Sequence, residues 1–234
     1  MPNHITTVCT VTGEVARVQA FQKAHITTDK KNRTQFDFET IIPMPECVKA
    51  TIIDDENWGG GFGDADVELY AKALMGNKSC FLLDNERIPG IGIPANVKRW
   101  GELLEWYDSK KSPAVGKLAR AALESAAETG HRGWYEWSCA NWGTKWDAYR
   151  YDEREVSPGR FVFKFETAWA PPEPIFDKLA ELWPDLTFET ESIDEGGGDY
   201  VGTFHGERRE LKKVTDSDER YKRVYGHARE TYDD

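Results

Sequence analysis

The stretch WYEWSCANWGTKWD, residues 134–147, gathers four indoles around a thiol, an amide and an ammonium. Indole faces can stack a base, a sugar or a guanidinium. Trp134, Trp137, Asn141, Trp142, Lys145 and Trp146 are therefore the candidate ligand-binding residues. A structural expectation competes with that one. Trp134 and Trp137 stand three apart, on one face of a helical turn. Gly143 would end that turn in a left-handed conformation, and Trp142 and Trp146 would flank the next strand. The window would then clasp two parts of the fold together. Nine tryptophans in 234 residues require that some interior or some surface be unusually aromatic.

Other residue types invite chemistry less strongly. Cys139 as a nucleophile needs a lowered pKa; His131 is near in sequence and Asn141 could orient it. No nucleophile signature surrounds it, and its Trp neighbours argue for burial. GGGFGDAD, residues 59–66, sets glycine amides ahead of a helix, as in phosphate-binding loops. It lacks GxxxxGK[ST], and Asp54, Asp55, Glu56, Asp64 and Asp66 would repel a phosphate. Those acids also lack the spacing of a calcium-binding loop, and are read as a candidate acidic protein-binding loop. His4 and His205 would meet only if their strands were neighbours, and two histidines alone make a poor metal site. Glu166 and Glu189 read as solvated outer-face residues, not an acid–base pair. No residue is assigned a catalytic or metal-binding role, and no cofactor is expected.

Composition narrows the classes. Hydrophobic content of 39% and aromatic content of 12% are those of a globular chain. The formal charge is −11, which argues against direct nucleic-acid binding because no basic stripe stands outside the tail, where basic and acidic residues balance. The same charge suits a basic protein partner. Cysteines at 9, 47, 80 and 139 are scattered. An iron–sulfur cluster or zinc ribbon needs clustered thiolates, so reduced, mostly buried cysteines in a cytoplasmic protein are expected. The N-terminus lacks the basic head and apolar run of a signal peptide. No stretch approaches the ~20 apolar residues of a membrane span.

The elements that must position these residues follow from periodicity. HITTVCTV, residues 4–11, alternates as a strand with Ile5, Thr7, Cys9 and Val11 on one face. A helix over 14–25 carries Val15, Val18 and Phe21. FDFETII, residues 36–42, reads as a second strand. Three helices follow, over 64–75, 97–107 and from Pro113 to Gly130. Residues 147–156 and 159–169 form a hairpin. PPEPIFDKLAELWPD is a helix with Ile175, Phe176, Leu179, Leu182 and Trp183 on one stripe, ended by Pro184. Residues 186–193 and 200–207 form a second hairpin. The expected fold is α+β: a ferredoxin-like (split βαβ) antiparallel sheet with helices on one face, interrupted by an α-helical insertion. Its parts are a βαβ segment at 1–48, the insertion at 49–131, a ββαββ remainder at 132–207, and a charged tail at 208–234 that is helical or disordered.

MPNHITTVCTVTG, FDFETIIPMPE, NWGTKWDAY and FVFKFETAWAPPEPIFDKLAELWPDLTFE, in that order, resemble YubB-like proteins. These are uncharacterised proteins of phages and plasmids with a ferredoxin-like domain. The resemblance covers about 1–48 and 132–206, and leaves 49–131 as an insertion of this chain. It implies a mobile-element source, a bacterial host cytoplasm and a fold, and carries over no mechanism. The leading expectation is a non-enzymatic protein that binds a host protein, such as the nucleic-acid channel of a defence system, through its acidic surface. Capture of a small ligand or nucleotide at the Trp window is the alternative. A metal-dependent enzyme is the third.

Overall fold

The computed structural model describes residues 3–52, 64–76, 96–110 and 113–229. In chain order the elements are β1 (His4–Thr12), α1 (Val15–His25), β2 (Ile26–Thr28), β3 (Thr34–Phe36), a 3-10 turn (Phe38–Thr40), α2 (Glu46–Lys49), α3 (Asp64–Met75), α4 (Trp100–Lys110), α5 (Pro113–Thr129) and α6 (Trp134–Asn141). Then come β4 (Tyr149–Ser157), β5 (Arg160–Ala168), α7 (Glu173–Leu182), β6 (Thr187–Asp194), β7 (Asp199–His205), β8 (Arg208–Val214) and α8 (Asp218–Tyr225). They divide into two compact units, 1–43 with 138–234, and 44–137.

The first unit is built on a six-stranded antiparallel sheet in the order β4-β5-β1-β6-β7-β8. β1 pairs antiparallel with both β5 and β6, so β5–α7–β6 is a split βαβ unit with β1 between its strands. β5 in turn lies between β1 and β4. Two interleaved split units are the ferredoxin-like arrangement, and β7 and β8 widen it.

Alternation sets the core. Ile5, Thr7, Cys9 and Val11, which share one face of the strand, are fully buried. The β5 row Phe161, Phe163 and Phe165 joins them. From α1, Phe21 lies 6.4 Å from the rings of Phe161 and Phe163 and 5.3 Å from Phe188. From α7, Phe176 stacks on Phe204 at 5.3 Å. Such pairs contribute roughly 0.5–1.5 kcal/mol each beyond the burial of their area. Ile175, Phe176 and Leu179 are buried as the helical stripe predicts, whereas Leu182 is exposed and Ala180 is buried instead. Val15 of α1 is likewise exposed.

The strand expected over 36–42 is not formed. Asp37 accepts from the Glu39 amide at 3.0 Å and from the Thr27 hydroxyl at 2.9 Å. This side-chain capping turns the chain into a 3-10 turn, and β2 and β3 pair only with each other. The parallel mate of β1 is therefore β4, beyond the helical unit.

Residues 208–229 are not a loose tail. β8 pairs with β7 along its length. Ser217 caps α8, and Gly226 ends it at φ 85. Arg223 grips Glu191 through two bonds of 2.6 and 2.7 Å. Arg220 reaches the buried Asp199 at 2.5 Å, and Val224 is fully buried. Glu191 is in register with Val8, so α8 lies on the sheet face opposite α1 and α7. Arg220 and Arg223 of the charged tail are paired to acidic residues of the sheet.

The second unit, 44–137, is helical. Leu69, Tyr70 and Ala73 of α3, Leu103, Leu104 and Tyr107 of α4, and Val115 and Ala119 of α5 share one buried cluster with Val97. α4 starts at Trp100, later than its apolar spacing predicts, because the Glu102 carboxylate caps it by accepting from the Lys98 and Arg99 amides at 2.7 and 3.2 Å. The unit is wider than the expected 49–131, since it takes in α2 and the first turn of α6.

Candidate functional site: an aromatic edge of the sheet

Each residue of NWGTKWD has a local duty. Trp142 is 4% exposed, donates its indole N–H to the Ile42 carbonyl at 2.9 Å and packs edge-on against Phe38 at 5.9 Å. A ring so held belongs to the core, which removes Trp142 from the candidate ligand-binding residues. Trp137 is buried too and leaves that set for the same reason. Asn141 is half-buried at the end of α6. Gly143 has φ 76, and a Cβ there would stand 2.7 Å from Pro174 Cδ, so only glycine fits. Thr144 is buried, donates to the Ala168 carbonyl at 2.7 Å and accepts from the Ala168 amide at 3.1 Å. Asp147 accepts from the amides of Phe38 at 3.0 Å and Ala148 at 2.7 Å. Burial pushes its carboxyl up to about 7 against those two bonds, with Asp37 and Glu39 adding repulsion.

Lys145 and Trp146 remain at the surface, and the Thr144 staple brings them to the end of β5. There Trp169 joins them. Trp146 is 37% exposed and Trp169 44%. The Lys145 ammonium lies over both rings, 4.6 Å from the centroid of Trp146 and 5.0 Å from that of Trp169. Trp169 holds φ at 76, a conformation a bulky side chain adopts only under constraint. Its amide donates to the Asn3 carbonyl at 2.9 Å, which helps to fix it there.

Polar groups line the same edge. Trp146 meets Tyr149 edge-on at 6.4 Å. The Tyr149 hydroxyl is 2.6 Å from His4 Nδ1, and His4 is 3.8 Å from Glu166. Burial, then the Glu166 charge, push the Tyr149 phenol up to about 12. Arg150, also at positive φ (52), donates to Glu166 at 2.7 Å. Two of the three non-glycine residues at positive φ among the described residues, Arg150 and Trp169, thus flank this edge. Strain held in place by its surroundings is a common mark of working sites.

The other sequence candidates are dispersed. Trp134 belongs to the helical unit, where its amide donates to the Thr51 hydroxyl at 2.9 Å. It borders a cavity of about 530 Å3 between α3, α5 and the start of α6, with Val67, Met75, Leu118, Ala122 and Tyr135 among the lining residues. Asp54, Asp55 and Glu56 lie outside the described residues, as do the glycines at 59–61. Asp64 opens α3. Asp66 is no loop residue: it is 4% exposed and accepts from the Tyr107 hydroxyl at 2.9 Å. It is spent inside the helical unit and is removed from the proposed acidic loop.

His4 and His205 do not meet, because β6 separates β1 from β7. Glu166 is more enclosed than a solvated outer-face residue, held by Arg150, while Glu189 is exposed opposite Thr10. Burial raises the thiols of Cys9 and Cys47; Cys139 is half-exposed. Among the described residues no group of three or more His, Cys, Asp or Glu could hold a metal ion. No described helix is long and apolar enough to cross a membrane.

Sequence reasoning passed over Trp169 and Tyr149. Trp169 stands in phase with Phe161, Phe163 and Phe165, so alternation alone would bury it. The following Ala170-Pro171-Pro172 was the available signal, since prolines end the pairing and let the chain turn.

Residues 145–233 match a family model described as the ferredoxin-like domain in Api92-like protein. The match starts at Lys145 and includes the segment that forms β8 and α8. No curated protein matches. Among solved structures, protein api92 from Yersinia pseudotuberculosis aligns over 93% of this chain and 99% of its own, at 8% identity and a TM-score of 0.44.

Proposed function

We propose that this chain is a non-enzymatic binding protein whose partner is another protein. The observation that carries the reading is the pair of half-exposed indoles, Trp146 and Trp169, held at the sheet edge by Thr144 and by strained backbone. Aromatic residues are enriched at protein interfaces, and the strongest contributors are well packed. Ionisable groups of the same unit are engaged with one another: Glu166 with Arg150, Glu191 with Arg223, Asp199 with Arg220. They support the sheet more readily than they would serve a reaction. The charge of −11 supports a basic partner surface. The sequence segments resembling phage and plasmid proteins support a host protein as that partner, with inhibition of a defence protein as one role of this kind.

The test is capture from bacterial lysate by the immobilised full chain and by its Trp146→Ala and Trp169→Gly variants. A protein retained by the wild type and lost from both folded variants is expected. Equal recovery on all three would count against the reading.

A second reading rests on the cavity of about 530 Å3 beside Trp134. Its size and apolar lining suit a small ligand. It moves the alternative of ligand capture away from Trp142 and into the helical unit. Trp134→Ala would abolish binding of such a ligand while leaving protein capture intact.

A further inference from the structure

The indole pair already holds a cation. Lys145 places its ammonium over Trp146 and Trp169 at 4.6 and 5.0 Å from their centroids. Both residues are more than a third exposed, at 37% and 44%. A resident lysine shows which chemistry these faces attract: a positive charge over an electron-rich indole. The surroundings point the same way. Glu166 lies beyond Tyr149 and His4, and Glu195 accepts from the His4 amide at 3.1 Å. Both carboxylates also act on the Tyr149 phenol; Arg150 offsets Glu166, and Glu195 adds a further negative charge. The backbone that presents the rings is fixed by Thr144 and Asn3, so little order is lost when a group docks.

We propose that the Trp146–Trp169 pair is a recognition site for a basic side chain, an arginine or lysine, of the protein partner, and that Lys145 is its internal competitor. This deepens the protein-binding reading and rests on it. In the unbound chain the Lys145 ammonium occupies the faces. A partner guanidinium displaces it, stacking on indole more effectively than an ammonium does because it is planar and more weakly hydrated. Lys145 thus raises the concentration of basic group that the site requires, which favours one presented at high local concentration by an otherwise complementary surface.

The experiment titrates the full chain with the blocked peptide acetyl-Gly-Arg-Gly-amide and with its uncharged citrulline counterpart. It follows the indole N–H resonances of Trp146 and Trp169. Lys145→Gln is expected to reach half-saturation at an arginine-peptide concentration about fivefold or more below that of the wild type. Lys145→Met should behave alike, which guards against a defect peculiar to one variant. Lys145→Gln with Trp169→Gly should not respond, and neither should any variant given the citrulline peptide. The proposal is overturned if the wild type and both Lys145 variants titrate together, or if citrulline serves as well as arginine. Should that happen while Trp169→Gly still loses a captured protein, the protein-binding reading stands and only the cation assignment falls.

Discussion

Thr144 and Ala168 hold each other twice: the Thr144 hydroxyl donates to the Ala168 carbonyl at 2.7 Å, and the Ala168 amide donates back to the same oxygen at 3.1 Å. One buried hydroxyl thereby completes the last residue of β5 and fixes the distance between Trp146 and Trp169. Thr144→Val keeps the shape and removes both bonds, leaving two buried backbone groups unpaired. The expected cost is about 2–4 kcal/mol, seen as a lower urea midpoint, whereas Thr144→Ser retains most of the stability. An unchanged midpoint in Thr144→Val would show that the staple is dispensable.

Gly143→Ala meets two obstacles, φ at 76 and a Cβ 2.7 Å from Pro174 Cδ. The left-handed conformation alone costs about 1–2 kcal/mol, and the contact with a rigid ring adds to it. Thermal unfolding of this variant should fall clearly below that of the wild type. A variant as stable as the wild type would mean that the turn after α6 adapts freely.

Trp169→Gly separates stability from function. Relief of the strain at φ 76 returns about 1–2 kcal/mol, while the added freedom of the unfolded chain takes back about 1 kcal/mol. Loss of the buried part of the indole costs about 1–3 kcal/mol more, so the variant should be modestly less stable than the wild type, remain folded, and yet lose capture of the partner. A large loss of stability would make Trp169 a packing residue.

The pH dependence of stability contains two opposed parts. Burial lowers the His25 imidazole to about 4, where its Nε2 accepts from the Trp183 indole at 2.9 Å. A histidine whose folded pKa is depressed leaves stability full above its unfolded pKa of about 6.5. That contribution is lost as pH falls from there through 4. Asp147, raised to about 7, works the other way: its contribution is full below the unfolded value of about 3.9 and is lost as pH rises through 7. Asp147→Asn keeps an oxygen for the Phe38 and Ala148 amides but no longer titrates. Its stability should fall more steeply than that of the wild type as pH drops from 6.5 to 4, in denaturation midpoints taken across that range. Parallel profiles for the two chains would mean that Asp147 does not titrate there.

Much of the fold could be read in the chain. Strict alternation in HITTVCTV marked the buried face of β1, and the Phe161–Phe165 row marked its neighbour, because a half-buried strand writes its burial into every second residue. The expected strand at 36–42 had the same alternation. Its loss was decided by the Asp37 side chain, a local competitor that pattern counting does not weigh. The order of residues 208–229 was not legible because the partners of Arg220 and Arg223, Asp199 and Glu191, are distant in sequence.

The site was half legible. NWGTKWD announced itself, yet periodicity could not separate Trp142, which is core, from Trp146, which is surface. Trp169 was hidden because its outward turn depends on a backbone angle, and a backbone angle has no signature in residue type. Asp66 misled for the converse reason, since a carboxylate beside glycines reads as a loop until Tyr107 is seen to hold it.

The central claim is that the edge carrying Trp146 and Trp169 is the working surface. Oxidative footprinting of the full chain, with and without the partner captured from lysate, tests it most directly, because half-exposed indoles are oxidised readily. Trp146 and Trp169 should become protected in the complex while Trp134 and Tyr135 keep their free rates. Protection of Trp134 and Tyr135, with Trp146 and Trp169 still reacting at their free rates, would contradict it.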